Sequence, residues 1–250
     1  MSATRRWVES EELDGLVADD PRACRSRRDL QRLHVAMRSI SILERAVAAL
    51  QLGVQPRRIL ELGAGDGTLL LRFARAHRPT WNDVELTLLD RVDLVSAQTR
   101  AAYRELGWQV SFLRADALEW AASPPARCYD LCFANLFLHH FEAAPLIDLL
   151  RAVAVAADAF VACEPRRSNL ARFASRLVIL LGASEVTRHD AVKSVAAGFT
   201  GRELSAAWTA AAGEWNLVEF QALPFSHCLA AARPNFRAHS GEPQRGKREL

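Results

Sequence analysis

The sequence predicts an α/β fold in which a mostly parallel sheet lies between two layers of helices. From about residue 56 onwards, short apolar runs alternate with longer runs of helical period. Strands that alternate with helices are typical of a parallel sheet that is covered on both faces. The chain has 250 residues, which is enough for one such domain with helical additions.

Seven short runs predict the strands of this sheet, and amphipathic runs between the first five predict crossover helices. In chain order, the predicted strands are RRILEL, VELTLLD, QVSFLRAD, YDLCFAN, AFVACEP, EWNLVEFQAL and SHCLAAA. The dipeptide PF alone separates the last two, and such a short connection indicates an antiparallel hairpin at the sheet edge. We therefore expect a three-layer, seven-stranded, mostly parallel sheet that ends in an antiparallel C-terminal hairpin.

Helical segments are also predicted before the first strand and after the fifth strand in the chain. An amphipathic helix is expected over Leu30–Leu50, with Gly53 and Pro56 ending it. Residues 166–199 lack a strand pattern and predict a helical insertion, which together with the first helix would form a lid over the strand ends. We thus divide the chain into residues 1–55 (a segment disordered over about 1–20, and a cap helix), residues 56–232 (the sheet domain) and residues 233–250 (a disordered basic tail).

Composition disfavours several classes of protein. The net charge is only +3, and the basic segments lack interleaved aromatic residues, so no nucleic-acid partner is expected. No apolar run reaches the roughly 18 residues of a membrane span, and the N-terminus lacks a secretory signal. The five cysteines form no CxxC pair, so no metal site is expected. We expect a cytoplasmic monomer or homodimer.

The stretch ELGAGDG, directly after the first predicted strand, has the features of a ligand-binding turn. In open α/β sheets, ligands bind beyond the carboxyl ends of the strands. Gly63, Gly65 and Gly67 follow G-x-G-x-G spacing, whereas dinucleotide sites have G-x-G-x-x-G. Glu61 lies two residues before the first glycine, where a carboxylate would repel a pyrophosphate but attract an ammonium. The pattern favours a ligand with an amino group and disfavours a nicotinamide-dependent oxidoreductase.

Polar residues also follow the next three predicted strands. Asp90, with Arg91 beside it, ends the second strand and could accept hydrogen bonds from ribose hydroxyls. Asp116, followed by Ala117, comes after the third strand and could accept a hydrogen bond from an exocyclic adenine amine. Asn135 ends the fourth strand. Four such sites at four consecutive strand ends predict one binding site for a nucleoside that carries an amino group.

Together, ELGAGDG, Asp90, RADALEW and FANLFLHHF resemble class I S-adenosylmethionine-dependent methyltransferases, which have a Rossmann-like fold. The resemblance covers about Arg57–Pro165, and it implies S-adenosylmethionine as the cofactor. By this resemblance, Glu61 and the loop from Gly63 through Gly65 to Gly67 hold the methionine part, Asp90 holds the ribose, Asp116 and Ala117 flank the adenine, and Asn135 lines the methionine side.

Two histidines after the fourth predicted strand are candidates for a general base. Methyl transfer to a hydroxyl requires alignment of the reacting groups and removal of a proton. In related small-molecule methyltransferases, a histidine at the position of His139 can accept that proton, and His140 is a second candidate. Alternatively, both histidines begin a helix and pack there. Glu164, after the fifth strand, could orient an acceptor hydroxyl or pair with Arg166 or Arg167.

The sequence also narrows the methyl acceptor. Enzymes that methylate exocyclic amines of nucleic-acid bases or protein glutamine share an (N/D)-P-P-(Y/F) motif, whereas here Leu136 and Phe137 follow Asn135. The apolar insertion suits an aromatic or lipid-like acceptor, as in stand-alone bacterial methyltransferases of quinone and phenolic polyketide pathways. We expect methylation of an oxygen, or less readily a carbon, of a small phenolic or quinol-like molecule. The alternatives are a non-catalytic cofactor-binding or assembly protein and a methyltransferase that acts on a macromolecule.

Overall fold

Seven strands form one sheet in a computed structural model of the chain, which describes residues 5–53, 55–77, 80–176 and 182–234. The sheet order is β3-β2-β1-β4-β5-β7-β6. Strands β1 to β5 are parallel, and β7 runs antiparallel to both β5 and β6. The predicted mixed sheet with a C-terminal hairpin is therefore confirmed. The strands are β1 (Arg58–Leu62), β2 (Val84–Asp90), β3 (Trp108–Arg114), β4 (Tyr129–Asn135), β5 (Ala157–Pro165), β6 (Asn216–Ala222) and β7 (Ser226–Ala232).

Helices cover both faces of the sheet. Successive residues of a strand point to opposite faces, so that Ile59 packs with α3, α4 and α5, whereas Leu60 and Leu62 pack with α6, α7 and α10. The helices are α1 (Glu12–Gly15), α2 (Pro21–Ala36), α3 (Ser39–Ala49), α4 (Thr68–His77), α5 (Ala97–Glu105), α6 (Ala117–Ala122), α7 (Ala143–Ala156), α8 (Asn169–Arg176), α9 (Glu185–Ala197) and α10 (Glu203–Ala212). A short 3-10 turn, Leu138–His140, follows β4.

The cap helix expected over Leu30–Leu50 is two helices rather than one. Arg38 separates α2 from α3 and has a left-handed backbone conformation with a φ of 57°. The break lets α3 bury Leu43 and Ala46 in the core while α2 extends over the strand ends. The periodic pattern runs through the break because apolar residues are required on both sides of it.

For residues 5–20, hereafter the N-terminal segment, the structure differs from the expectation of disorder. The backbone N–H groups of Glu12 and Leu13 donate to the carboxylate of Asp190 at 2.8 and 3.0 Å. Arg6 donates to the carbonyl of Ala197 at 2.7 Å and to that of Phe141 at 2.8 Å. The composition of the segment does not predict its ordered structure, because the residues that bind it lie far away in the sequence. Residues 235–250, which hold nearly all of the predicted basic tail, lie outside the described residues.

The helices α8 and α9 occupy the predicted insertion, of which residues 177–181 lie outside the described part. A buried carboxylate joins α9 to α2: Asp29 accepts hydrogen bonds from the backbone N–H of Ser184 at 2.8 Å and from Oγ1 of Thr187 at 3.1 Å. This polar contact holds the two helices together above the strand ends. Among the residues that the structure describes, no helix combines the length and apolar character needed to cross a bilayer.

Candidate functional site

A cavity of about 770 Å³ lies beyond the carboxyl ends of β1, β2 and β4. The turn after β1 and the loops after β2 and β4 line it on the side of the sheet. Helices α2, α8 and α9 line the other side, and residues of the N-terminal segment contribute as well. This volume is in the range of sites for small molecules and cofactors, and the position is the one at which open α/β sheets bind ligands.

Glu61 is a buried carboxylate in the wall of this cavity. Its side chain is held within β1, and the residue is only 3 % exposed. Its Oε2 atom has no hydrogen-bond partner among the described residues. Burial, and then the carboxylates of Asp66 and Asp90, raise the pKa of Glu61 well above its usual value. An ammonium group placed against Oε2 would supply both the missing hydrogen bond and the missing positive charge.

The three glycines of the turn after β1 have different surroundings. All three have positive φ angles, which L side chains rarely adopt. At Gly63 a Cβ atom would lie 2.2 Å from the ring of Phe137, so the absence of a side chain lets these loops meet. At Gly65 a Cβ would meet nothing within 4 Å, and its backbone borders the cavity. Gly67 faces Leu88 instead and is not among the lining residues.

Asp90 and Arg91 line the cavity at the end of β2. One carboxylate oxygen of Asp90 accepts a hydrogen bond from the backbone N–H of Gly65 at 2.9 Å, and the other accepts from that of Val92 at 3.2 Å. Asp90 thus fixes the glycine turn against the second strand. The Arg91 guanidinium lies 3.2 Å from a carboxylate oxygen of Asp14 in the N-terminal segment.

Asp116 and Ala117 do not line the cavity, whereas Asn135 does. Asp116 is the N-cap of α6, and its carboxylate accepts a hydrogen bond from the backbone N–H of Leu118 at 2.8 Å. Ala117 is 5 % exposed and packs in the core. The contacts of Asp116 in this structure are those of a helix cap, and the expected contact with an adenine stays a prediction.

His139 and Glu164 form a buried pair at the ends of β4 and β5. Nδ1 of His139 lies 2.8 Å from Oε2 of Glu164. The other oxygen of Glu164 accepts hydrogen bonds from the backbone N–H groups of Phe137 and Leu138 at 3.0 and 2.9 Å. These contacts fix the turn after β4 and orient the imidazole, so that its Nε2 atom is the nitrogen available to a ligand.

Neither expected role of Glu164 is seen, because its oxygens are directed at the turn after β4. Arg167 instead pairs with Glu203 at 2.5 Å, and Arg166 donates to Gln221 at 3.1 Å. The pairing of residues 166 and 167 with β6 and α10 ties the start of the insertion to the core. Glu164 therefore supports His139 and does not itself line the cavity.

The Nε2 atom of His139 faces a second carboxylate. It lies 3.3 Å from Oε1 of Glu11. Burial alone would lower the pKa of His139, but the hydrogen bonds and charges of Glu11 and Glu164 outweigh it and raise that pKa to about 9. Burial and the charge of His139 lower the pKa of His140, whose Nδ1 lies 3.4 Å from Asp14. His139 is therefore the charged histidine of the two at neutral pH.

The N-terminal segment supplies site residues that the sequence did not reveal. Glu11 and Asp14 both line the cavity and contact the two histidines. Ser194 of α9 donates a short hydrogen bond to Glu11. The only signal in the sequence was the cluster of acidic residues in ESEELD, which is equally typical of an exposed segment. Their histidine partners are 126 and more residues away, so local pattern could not identify them.

Glu11, His139 and His140 are also residue types that bind metal ions. Their potential ligand atoms lie within 4.8 Å of one another. In this structure, Nε2 of His139 is paired with Glu11 and its Nδ1 with Glu164, an arrangement that a protonated histidine satisfies without a metal. The expectation that the protein has no metal stays a prediction.

Comparison with known protein families identifies a methyltransferase domain. Residues 59–157 match the family model described as "Methyltransferase domain". These residues include the glycine turn, Asp90, Asn135 and both histidines. No curated protein sequence matches the chain.

Solved structures show the same fold at low sequence identity. An O-methyltransferase family protein from Burkholderia thailandensis superposes with a TM-score of 0.52 and 19% identity, over 86% of this chain and 61% of that chain. The chain thus spans less than two thirds of the length of that protein. The plantazolicin methyltransferase BpumL in complex with SAH gives a TM-score of 0.59 and 14% identity, over 86% of this chain and 92% of that chain. Its complex with a triazolic desmethylPZN analog and SAH gives 0.56 and 16%, over the same shares.

Proposed function

The chain contains the methyltransferase domain of a class I S-adenosylmethionine-dependent methyltransferase, and on that premise we propose that it methylates a hydroxyl oxygen of a small hydrophobic phenolic or quinol-like acceptor. The observation that carries the proposal is His139. It is a buried imidazole that is backed by Glu164 and lines the same cavity as the glycine turn.

The residues around the glycine turn fit the cofactor. The unpartnered Oε2 of Glu61 suits the ammonium of the methionine part, and the open backbone at Gly65 permits a close approach. Asp90 is the candidate for the ribose hydroxyls, and Asn135 for the methionine side. When bound, the cofactor supplies an electrophilic methyl group on a sulfonium. The remaining requirements, which are orientation of the acceptor and removal of its proton, fall to side chains of this chain.

His139 is proposed as the general base. In its neutral form, Nδ1–H donates to Glu164 and the Nε2 lone pair can accept the proton of an acceptor hydroxyl. Glu11 and Glu164 raise the pKa of this imidazole to about 9, so the neutral form that accepts the proton becomes more abundant, and turnover should rise, as the pH approaches that value. In the protonated histidine, Nδ1 faces Glu164 and Nε2 faces Glu11. The negative charge of Glu164 therefore also stabilises the imidazolium that the transfer produces.

The walls of the cavity support a hydrophobic acceptor. Leu30 and Leu33 of α2 and Ala171 and Ala174 of α8 contribute apolar surface opposite the glycine turn. An aromatic ring with an apolar substituent would bury its surface there. BpumL, whose structures contain desmethylPZN analogs, shares the fold only, so an azole-containing peptide is a further acceptor class to include in the test.

The proposal is tested by cofactor binding and by turnover on a panel of acceptors. Calorimetry with S-adenosylmethionine, SAH and NADH should show binding of the first two and none of the third. Transfer of labelled methyl to alkylphenols, alkylhydroquinones and a synthetic azole peptide should favour the phenols. The variant His139→Ala should lose about 10²- to 10⁴-fold in turnover with unchanged SAH affinity, whereas His189→Ala, an exposed histidine, should retain turnover.

Four outcomes would contradict the proposal. Tight binding of NADH alone would exclude the cofactor assignment. Turnover of the peptide but not of the phenols would exclude the acceptor class. Full turnover by His139→Ala would remove His139 from the mechanism, and binding of SAH without turnover of any acceptor would favour the non-catalytic alternative.

A further inference from the structure

The N-terminal segment holds the side chain of Glu11 against His139, the proposed general base. Several backbone contacts fix its path: the N–H of Trp7 donates to the carbonyl of Ala196 at 3.3 Å, and those of Glu12 and Leu13 donate to Asp190. Glu11 lies between these contacts. Its position therefore follows from the docking of the segment on α9, and not from a chance rotamer of an exposed side chain.

Two hydrogen-bonding atoms of this pair lie side by side at the cavity wall. Oε1 of Glu11 is 3.3 Å from Nε2 of His139, and both residues line the cavity. Ser194, which also lines the cavity, donates to the same Oε1 atom of Glu11, and Glu164 contacts Nδ1 of His139. Both side chains are thus oriented by a second polar group, and both border the cavity from which a ligand would approach.

Carboxylates make up most of the charged groups around the pair. Glu11 and Glu164 flank His139 itself, and Asp14 contacts His140. The guanidinium of Arg6 donates to the carbonyls of His139 and Phe141 and not to these carboxylates. An acceptor with its own carboxylate would be repelled, whereas hydroxyl groups, which donate hydrogen bonds without carrying charge, suit this surface.

The spacing of the two atoms indicates how many hydroxyls the site takes. While a neutral His139 accepts a hydrogen bond from one hydroxyl, its Nε2 no longer donates to Glu11. The Glu11 carboxylate can then accept from a second hydroxyl, because the first has only one hydrogen. Two hydroxyls on neighbouring ring carbons present their oxygens somewhat closer together than the 3.3 Å that separates Nε2 from Oε1, so that each hydroxyl can reach one of the two atoms. Hydroxyls in meta or para positions lie too far apart to meet both atoms.

This inference rests on the proposed function and makes its substrate class narrower. We propose that the acceptor is a catechol-type ring with two adjacent hydroxyls, that one hydroxyl binds His139 and is methylated, and that Glu11 selects the acceptor by receiving the hydrogen bond of the other. In the transfer, the O–H bond at His139 breaks and its proton moves to Nε2. The oxygen forms its bond to the methyl group as the S–CH₃ bond of the cofactor breaks, which yields SAH and a mono-methyl ether.

The test compares two probes that differ by one hydroxyl, 4-hexylcatechol and 4-hexylphenol, on the full chain loaded with SAH. Calorimetry should give about tenfold or greater preference for the catechol in the wild type, which is the usual size of a hydrogen bond to a charged group. In Glu11→Ala the preference should fall to about one. The matched control Glu12→Ala, which removes the neighbouring carboxylate of the same segment, should keep the preference of the wild type.

Turnover and cofactor binding supply the readouts that separate this inference from the proposed function. With S-adenosylmethionine, Glu11→Ala should raise KM for the catechol more than KM for the phenol, and SAH affinity should be the same in all three proteins. Equal affinity for the two probes in the wild type, or a preference that survives in Glu11→Ala, would overturn the inference. A failure to bind S-adenosylmethionine would instead overturn the proposed function.

Discussion

At the scale of single residues, the site contrasts two buried ionisable side chains. Glu61 has an oxygen without a hydrogen-bond partner in the described part of the chain, and burial raises its pKa. His139 has a carboxylate on each ring nitrogen, and its pKa is raised for that reason despite burial. The first residue is short of a positive charge that a ligand can supply, whereas the second already carries one. These environments are the basis of the binding role proposed for Glu61 and the proton-transfer role proposed for His139.

Glu61→Gln should separate ligand binding from stability. The neutral amide removes a buried carboxylate that lacks a full set of partners, so the ligand-free protein should unfold at an equal or higher temperature. The same change removes the charged partner of the methionine ammonium, and the dissociation constant for SAH should rise roughly 10- to 100-fold. Differential scanning fluorimetry and calorimetry measure the two effects.

Glu85→Gln is the matched control for this variant, because Glu85 is an exposed carboxylate on the adjacent strand β2. It should leave both quantities unchanged. A Glu61→Gln protein that melts at a lower temperature and binds SAH as the wild type does would show that Glu61 stabilises the fold and does not bind the cofactor.

At the scale of elements, the N-terminal segment and α9 together form one wall of the site. Asp190 binds two consecutive backbone N–H groups at the start of α1, and Asp29 joins α9 to α2. Both carboxylates accept hydrogen bonds from backbone N–H groups at the start of a helix, and these groups have no partner within the helix itself. The position of this wall therefore depends in part on a few hydrogen bonds to carboxylates.

Asp190→Ala should loosen this wall. Loss of two hydrogen bonds to a charged group shifts the equilibrium towards an undocked segment, and the rate of cleavage by a glutamate-specific protease after Glu9, Glu11 or Glu12 should rise about tenfold. Mass spectrometry of the fragments over time measures this rate. Asp148→Ala, which breaks only a surface pair with Arg151, should cleave as the wild type does, and an equal rate in Asp190→Ala would show that the segment is held by other contacts.

At the scale of the whole molecule, the sheet and its two apolar layers fix where the loops meet. The order β3-β2-β1-β4-β5-β7-β6 reverses next to β1, and β4 lies beside β1 although it is the fourth strand in the chain. The glycine turn and the turn with His139 are consequently neighbours, which the contact between Gly63 and the ring of Phe137 demonstrates. The position of the cavity follows from topology, and the global stability of the fold is linked to the protonation of the site.

The linkage at His139 predicts how stability changes with pH. Its pKa is about 9 in the folded protein against 6.5 as the ordinary value, so the folded state binds the proton more tightly. The contribution is complete below pH 6.5 and is lost as the pH rises to about 9, with a slope of at most about 1.4 kcal/mol per pH unit. Urea unfolding at several pH values should show this decline in the wild type.

His139→Gln should lack that decline, because glutamine does not titrate. The free energy of unfolding of the wild type relative to the variant should therefore fall between pH 6.5 and 9. His189→Gln, which changes an exposed histidine, should follow the wild type throughout. A relative stability that stays constant with pH would show that the proton of His139 is not held more tightly in the folded state.

Much of the fold could be predicted from local pattern. The strand runs, the parallel core and the C-terminal hairpin are confirmed because alternation, apolar length and the PF connection are local features. The break at Arg38 could not be predicted, since apolar periodicity continues on both sides of it. For the site, the strand-end residues Glu61, Asp90 and Asn135 line the cavity as their places after strands suggest, whereas Asp116 is engaged as a helix cap, and residue type alone does not distinguish these roles.

By itself, the sequence determined the layered fold and the ligand-binding turn, because each depends on residues that lie close together in the chain: an apolar strand, three alternate glycines and a carboxylate just before them. The methyl donor followed from the resemblance of these motifs to class I methyltransferases. Only the tertiary structure decided what surrounds His139. Glu11 reaches it from 128 residues away and Glu164 from 25 residues away, and no local pattern records such a meeting. The protonation of the base, and with it the proposed choice of acceptor, depends on these long-range contacts, since electrostatic effects follow distance in space and not distance along the chain.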